Sequence, residues 1–160
     1  MKTIKAKPIT VENFAPYGSF TSIVEPSGNA LGNFYNDKVL LPVSGSMPVA
    51  FSPLVMDKPD KMIISEVEYH NTTGEGILPV DDDVVMHVAP PGKEPVPELT
   101  EAFIVPKGTM VKINTGVWHM GVLPLNREQV HVLIVLPERI YMNDCTVVAY
   151  QEEDQMEIVL

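Results

Sequence analysis

The sequence predicts an all-β fold, a sandwich or barrel with only a few short helical turns. Fifteen prolines and ten glycines are scattered along its 160 residues. Prolines at this density prevent long helices, because each removes a backbone donor and clashes with the preceding turn. Between them lie short runs rich in Val, Ile and Met at roughly ten-residue spacing, which is typical of short strands joined by turns. The length fits one domain spanning residues 1–160.

Each predicted element follows from its own residues. A helical turn is expected over residues 12–17, with Thr10 in a position to cap it. The predicted strands are the apolar runs 61–69, 84–89, 102–105, 110–114, 130–136 and 146–150. Residues 20–56 contain no pattern that indicates a function. The acidic tail after Tyr150 is equally compatible with the end of a strand and with a frayed extension.

Charge and composition narrow the function classes. The formal net charge is −10, from 21 acidic and 11 basic residues, and only Arg127 and Arg139 are arginine. Nucleic-acid binding needs a basic patch that neutralises phosphates, so no such partner is predicted. No apolar run has membrane-spanning length, no apolar stretch follows the N-terminal lysines, and the single cysteine, Cys145, cannot form an internal disulfide. These features predict a soluble, cytoplasmic protein without a nucleic-acid or membrane partner.

The first segment of chemical interest, 62–75, runs from apolar residues into polar ones. In a strand, successive side chains alternate between the two faces. One face is then predicted to carry Ile64, Glu66, Glu68 and His70, and the other Ile63, Ser65, Val67 and Tyr69. A strand that ends in Glu68 and His70 is expected to leave the core for a polar mouth, where a short turn leads to Glu75.

The spacing within this segment resembles the first motif of the cupin barrels. That motif reads His-x-His, four intervening residues and Glu, and this chain has Glu68, His70 and, after four intervening residues, Glu75. Glu68 stands in place of the first His, and Met62 stands where a Gly usually opens the motif.

The segment 106–119 resembles the second cupin motif, Gly, five residues, then Pro-x-Gly-x-x-His. Here Gly108 is followed after five residues by Asn114, in place of Pro, and then by Gly116 and His119. Two glycine turns therefore bracket a short strand, and His119 emerges just beyond the second. The two motifs in order, at matching spacing, imply a cupin-like double-stranded β-helix, a jelly-roll barrel.

The two motifs together predict a metal-capable cluster. Two adjacent strands of a small barrel and the hairpin between them can aim several side chains at one interior point. Two imidazole and two carboxylate ligands suit a divalent first-row metal such as manganese, iron, nickel or zinc. The predicted ligand set is Glu68, His70, Glu75 and His119.

A closer resemblance within the cupins is to the ureidoglycolate lyase family, also called ureidoglycolate hydrolases. The segments that carry it are 10–18, 68–70, 74–80, 84–90, 99–105, 116–119 and 143–145. The Gly-x-Trp-His signature at Gly116, Trp118 and His119 is its most specific part. Glu75 stands where members often have Gln, and Thr115, Met120 and Gly121 also depart from the family pattern.

The resemblance implies a urea-releasing lyase that cleaves ureidoglycolate to glyoxylate and urea in allantoin breakdown, part of purine metabolism, and that forms a homodimer. Such chemistry needs a general base near the substrate hydroxyl and a proton donor near the urea nitrogen. His119 or Glu75 is the predicted base, with His70 or a metal polarising the hydroxyl. The predicted substrate-binding residues are Glu68, Lys112, which could meet a carboxylate, and Trp118.

Two other function classes stay open at this point. One is a different metal-dependent cupin enzyme, an isomerase or dioxygenase acting on a small acid or sugar. The other is a non-catalytic barrel that binds a small ligand. Tight metal binding would favour the first alternative, and a fused DNA-binding segment would favour the second.

Several polar residues outside the motifs have a structural interpretation. Trp118 is expected to contribute more to packing than to catalysis, and His87 and His131 are predicted to be satisfied histidines of the core or barrel lining. The acidic triplet 81–83 lacks the spaced ligands of a calcium loop and is expected at a solvated hairpin tip. Cys145 has no histidine nearby in the sequence and is predicted to be structural.

Overall fold

The protein, described here by a computed structural model that covers residues 1–28 and 30–160, consists mainly of short strands. In chain order they are β1 (Lys2–Lys5), β2 (Lys7–Pro8), β3 (Gly18–Ser22), β4 (Ala30–Leu31), β5 (Phe34–Tyr35), β6 (Val49–Asp57), β7 (Ile63–Ile64), β8 (Glu66–Tyr69), β9 (Glu75–Pro79), β10 (Val84–Ala89), β11 (Glu101–Val105), β12 (Thr109–Ile113), β13 (Trp118–His119), β14 (Leu123–Pro124), β15 (Gln129–Pro137), β16 (Thr146–Ala149) and β17 (Met156–Val159). The short helices α1 (Val11–Phe14) and α2 (Ile140–Asn143) and a 3₁₀ turn at Pro97–Leu99 complete the described elements. The all-β prediction is confirmed.

Two sheets that face each other form the barrel. Sheet I has the strand order β3-β12-β9-β15-β6, and sheet II has the order β16-β8-β13-β10-β11-β2, with β14 also paired to β10. The chain passes from one sheet to the other between β8 and β9, β9 and β10, β11 and β12, and β15 and β16. This repeated crossing is the double-stranded β-helix expected from the cupin resemblance.

The barrel interior is filled by a buried apolar cluster from both sheets. Its members include Val84, Met86 and Val88 from β10, Ile77 from β9, Val111 and Ile113 from β12, and Val130 and Val132 from β15. Alternate residues of each strand point inward, as strand geometry requires. Phe14 of α1 is fully buried in this cluster and packs edge-on against Phe103, with ring centroids 5.4 Å apart.

A second apolar cluster lies outside the barrel, between sheet II and sheet III, whose order is β1-β17-β7. It contains both Ile64 and Val67, which the sequence pattern places on opposite faces. That prediction is wrong because the strand breaks at Ser65. The first part, β7, pairs with β17, whereas β8 pairs with β16, so the alternation restarts.

The ends of the predicted elements agree with the structure to within three residues, with no shift for β10, and the cap of α1 agrees with prediction. The Thr10 side chain accepts from the Asn13 amide, and the Asn13 side chain accepts from the Thr10 amide. The helix itself is shorter than the predicted turn. Strand β6 has no counterpart in the predicted elements, and the acidic tail contains the strand β17. Among the described residues, no helix has the length and apolar character needed to cross a bilayer.

The predicted location of His131 is wrong. Its side chain is exposed and pairs through Nδ1 with Asp81, 2.8 Å away, because residue 131 faces outward from β15 between the buried Val130 and Val132. His87 is buried as predicted, but its Nδ1 has no partner within the described residues. Burial, followed by the charge of His119, lowers the pKa of His87 to about 3.

Candidate active site

One end of the barrel brings together all four residues of the predicted ligand set. Glu68 lies near the end of β8, Glu75 begins β9 and His119 ends β13. The strand register places His119 directly opposite Glu68. One side-chain ligand atom from each of Glu68, His70, Glu75 and His119 lies within 4.8 Å of the others. Sheet I therefore contributes one carboxylate and sheet II the rest, so the cluster spans the mouth of the barrel.

A glycine turn connects the two motifs. Gly116 has a φ of 80°, a left-handed conformation that glycine adopts without steric cost. In this conformation its amide donates to the carbonyl oxygen of His70 at 2.8 Å. The turn that directs His119 inward is thereby attached to the backbone of the other histidine.

The hydrogen bonds of the two imidazoles define their tautomers. Nδ1 of His70 lies 2.7 Å from the Asp144 carbonyl oxygen, and Nδ1 of His119 lies 2.8 Å from the Val117 carbonyl oxygen. A carbonyl oxygen only accepts, so both Nδ1 atoms carry hydrogen. Both Nε2 atoms point at a single oxygen, Glu75 Oε2, at distances of 3.1 Å from His70 and 2.8 Å from His119.

This arrangement fits a bound cation. A neutral imidazole with its hydrogen on Nδ1 presents a lone pair at Nε2, and two such lone pairs would face the Glu75 carboxylate. The contacts are favourable only with protons on Nε2 or with a cation held between these groups. Metal-ligating histidines usually donate the other ring N–H to a carbonyl or carboxylate, as His70 and His119 do here. The donor set thus fits a divalent first-row metal.

Electrostatics keep Glu75 ionised despite its burial. Burial alone would raise its pKa, but hydrogen bonds from His119 and His70, together with their charges, lower it to about 2. For His70, burial would lower the pKa, and the bonds to Glu75 and to the Asp144 carbonyl outweigh that effect and raise it. Glu75 and His70 therefore stabilise each other's charged forms.

Asp144 and Cys145, which follow α2, form hydrogen bonds that position two residues of the cluster. The Asp144 carboxylate accepts from the amides of Asn71 and Thr72 at 2.9 and 2.8 Å, which holds the turn after His70. The Cys145 thiol donates to Glu68 Oε2 at 3.0 Å. Burial and the adjacent Glu68 carboxylate raise the pKa of Cys145 to about 12, so the thiol stays protonated. The sequence offered no sign of these contacts, because both residues lie more than 70 positions from their partners.

A cavity of about 560 Å³ opens onto the cluster. Glu66, Glu68 and Glu75 form its acidic side. Its other lining residues include Ala50, Ser52, Leu54 and Met56 of β6, Met120 and Gly121, and Leu136, Arg139 and Tyr141. The alternation of residues 50, 52, 54 and 56 is a strand signal that Pro53 obscures, although proline is accepted in an edge strand. A separate cavity of about 620 Å³, beside Asp83 and Gly108, contains none of the cluster.

Two residues predicted to bind substrate lie away from the cluster. The register of β12 on β9 places Ile113 opposite Glu75, so the neighbouring Lys112 points to the other face of sheet I. There its Nζ donates to Asn114 Oδ1. Trp118 precedes His119 in β13 and points to the opposite face of sheet II, fully buried in the outer cluster against Tyr69. Neither side chain lines the cavity.

A histidine–carboxylate cluster at the mouth of a jelly-roll barrel, facing a cavity of small-molecule size, defines this protein as a cupin-type barrel. A family model described as ureidoglycolate lyase matches residues 1–157. The chain belongs to the ureidoglycolate lyase family, and the other two function classes are not favoured.

Individual relatives agree with the family match. A ureidoglycolate lyase from Pseudomonas aeruginosa strain PAO1 is 26% identical over 168 residues, covering 98% of this chain and 95% of the relative. A protein of Agrobacterium fabrum, provisionally named ureidoglycolate lyase, is 30% identical over 130 residues, covering 78% of this chain and 77% of its own. A solved structure of Bacillus subtilis oxalate decarboxylase, studied for its Mn(II) centres, has a TM-score of 0.46 and 13% identity, over 93% of this chain and 30% of that one.

Proposed function

We propose that this protein is a ureidoglycolate lyase that releases urea from ureidoglycolate and leaves glyoxylate. Family membership across residues 1–157 supports the reaction. The observation that carries the proposal for the site is the position of Glu75. It is the residue that both lines the cavity and hydrogen-bonds to the two imidazoles.

The reaction requires one proton to move from oxygen to nitrogen. The substrate carbon carries a hydroxyl group, a carboxylate and a urea nitrogen. When a base removes the hydroxyl proton, the oxygen forms a carbonyl with this carbon, and the carbon–nitrogen bond breaks with its electron pair on nitrogen. Protonation of that nitrogen completes urea, so one group positioned beside both atoms can serve as base and then as acid.

In our proposal Glu75 is that group in this chain, although members of the family often have Gln at this position and cannot use it in this way. Its Oε2 accepts from His70 and His119, which leaves Oε1 for the substrate hydroxyl. The two imidazoles hold the carboxylate in one orientation at the cavity wall and compensate its charge in a nearly buried position. Glu75 accepts the hydroxyl proton at Oε1 as the carbon–nitrogen bond breaks and passes it to the departing nitrogen, so the carboxyl group, with its low pKa, holds the proton only transiently.

The cluster also supports a metal-dependent form of this chemistry. Glu68, His70, Glu75 and His119 would hold a divalent ion such as manganese, iron, nickel or zinc. A metal bound there supplies Lewis acidity that polarises the substrate hydroxyl and eases its deprotonation.

The test is release of urea and glyoxylate from racemic ureidoglycolate, with and without added manganese, together with metal analysis of the purified protein. Release that stops at half of the substrate indicates a stereospecific lyase. Glu75→Gln and His119→Ala are expected to reduce turnover by about 10²- to 10⁴-fold, the usual contribution of general acid–base catalysis. A loss of less than tenfold in either variant contradicts the assigned site.

Glu66→Gln is the matched control, because Glu66 lines the same cavity but lies outside the ligand cluster. Its turnover is expected to stay close to that of the wild type. Absence of urea release from a protein with stoichiometric metal would instead indicate another cupin reaction.

In our proposal the protein is a cytoplasmic homodimer. It acts in allantoin breakdown and has no nucleic-acid or membrane partner. The exposed edge strand β6 supports a dimer, since Phe51 and Val55 are 69% and 48% exposed on a strand with one open side. Light scattering after gel filtration tests the dimer. Phe51→Lys is expected to shift the mass towards the monomer if β6 forms the interface.

A further inference from the structure

Arg139 has an unusual backbone conformation for its residue type. Its φ and ψ are 62° and 22°, and among the described residues it is the one non-glycine with positive φ. A side chain disfavours this left-handed region sterically, and glycine would occupy it without strain. Residues held in such conformations occur preferentially at ligand sites, where the side chain serves a purpose that offsets the strain.

The conformation directs the chain across the mouth of the barrel. Arg139 follows the end of β15 in sheet I and precedes α2. After α2, Asp144 and Cys145 contact His70 and Glu68 on sheet II. Arg139 therefore lies at the start of the connection that bridges the two sheets beside the candidate site.

The charge of Arg139 is unique within the cavity lining. Three carboxylates, Glu66, Glu68 and Glu75, line this cavity, and Arg139 is the basic residue among the described lining residues. The guanidinium has only a weak internal partner, with Nε 4.0 Å from the Glu138 carboxylate, and its side chain is 67% exposed. An anionic ligand that enters this acidic cavity needs a cation, and the guanidinium matches a carboxylate through two parallel hydrogen bonds.

We propose that Arg139 binds the carboxylate of the substrate and makes the cavity selective for small 2-hydroxy carboxylates over their neutral amides. The inference rests on the proposed function and assigns a specificity-determining residue to it. With the carboxylate held at the exposed rim by Arg139, the hydroxyl and urea groups point towards the buried Glu75. Arg139 takes the role that the sequence predicted for Lys112, whose side chain points away from the cavity.

The experiment compares Arg139→Gly and Arg139→Lys with the wild type in two assays. The first measures kcat and KM with ureidoglycolate, and the second measures binding of glycolate and glycolamide by calorimetry. In Arg139→Gly, KM and the glycolate Kd are expected to rise about 10- to 100-fold, in line with loss of a charge-assisted bidentate contact. The glycolamide Kd stays unchanged, and Arg139→Lys recovers part of the glycolate affinity.

Two controls test whether the effect of Arg139→Gly comes from a change in folding or in net charge. Arg139→Gly relieves the left-handed strain, so its melting temperature is expected to equal or exceed that of the wild type. Arg127→Gly removes the same charge from a side chain that does not line the cavity and that contacts the Asp81 carbonyl, and it leaves KM unchanged.

The two proposals fail in distinguishable ways. Wild-type protein without lyase activity contradicts the proposed function, while glycolate binding still tests Arg139. Active wild type with an unchanged KM in Arg139→Gly overturns the inference, as does equal loss of affinity for glycolate and glycolamide. A wild type that binds no glycolate overturns it as well.

Discussion

The carbonyl oxygen of Asp144 lies 2.7 Å from Nδ1 of His70, although the two residues are 74 positions apart in the chain. This contact fixes which imidazole nitrogen faces Glu75, because a carbonyl accepts only from a protonated Nδ1. The same aspartate holds the turn after His70 through its carboxylate. One residue on the connection between the sheets thus orients a residue of the cluster through both its backbone and its side chain.

Replacement of Asp144 by alanine is expected to loosen His70. The variant loses the acceptors for the Asn71 and Thr72 amides, and stability should fall by about 1–3 kcal/mol. Metal affinity should fall about 10- to 100-fold, as is typical for changes behind a ligating histidine. Urea denaturation and calorimetric manganese titration measure the two effects. Equal metal affinity in wild type and Asp144→Ala would contradict a positioning role.

The contact between Cys145 and Glu68 predicts different outcomes for two substitutions. Cys145→Ala removes the donor to Glu68 Oε2, and metal affinity is expected to fall about 10-fold or more. Cys145→Ser keeps a donor of similar size and should retain most of the affinity. Calorimetric titration of both variants with manganese decides the matter. Equal affinities for the alanine and serine variants would show that the thiol does not position Glu68.

Asp82 is expected to make stability dependent on pH. Its carboxylate accepts from the amides of Asn126 and Arg127 and from the Asn126 side chain. Burial would raise its pKa, but these donors outweigh burial and lower it. The contribution to stability is therefore present above the unfolded-state pKa of about 3.9 and is lost as pH falls through the folded-state pKa.

Asp82→Asn should accordingly destabilise the protein by about 1.5–3 kcal/mol at pH 7. The difference from the wild type should shrink below about pH 4. Urea denaturation across this pH range measures it, with the exposed Asp60→Asn as a control. A difference that does not vary with pH would show that the charge of Asp82 is not responsible.

The close approach of β3 to β12 predicts that Gly18 tolerates no side chain. A Cβ at this position would lie 1.9 Å from the Lys112 carbonyl oxygen and 3.0 Å from Phe14 Cε1. Since the first contact is with backbone, the strand pair must separate, and Gly18→Ala should lower the free energy of unfolding by about 2 kcal/mol or more. In Gly121→Ala the nearest contact is an ordinary 3.8 Å, so this variant is the control. Equal stability of the two variants would refute the prediction.

Local sequence patterns were sufficient to predict which residues form the cluster. His70 and Glu75 flank one turn, and Gly116 and His119 belong to another, so their geometry depends on a few neighbouring residues. The capped start of α1 is likewise local, since Thr10 and Asn13 are three positions apart. The predicted alternation of side chains between the two faces of the strand is wrong at Ser65. There the chain moves from one sheet to another, and the alternation starts anew in β8.

By itself, the sequence determined the all-β class, the family, and the four residues that meet at the barrel mouth. Only the tertiary structure decided what surrounds them: that Lys112 and Trp118 point away, that β6 lines the cavity, that Asp144 and Cys145 support His70 and Glu68, and that Arg139 lies at the rim. The physical reason is the range of the interactions. Spacing within a motif is a property of adjacent residues, whereas the side a residue faces and its partners depend on pairings between strands far apart in the chain.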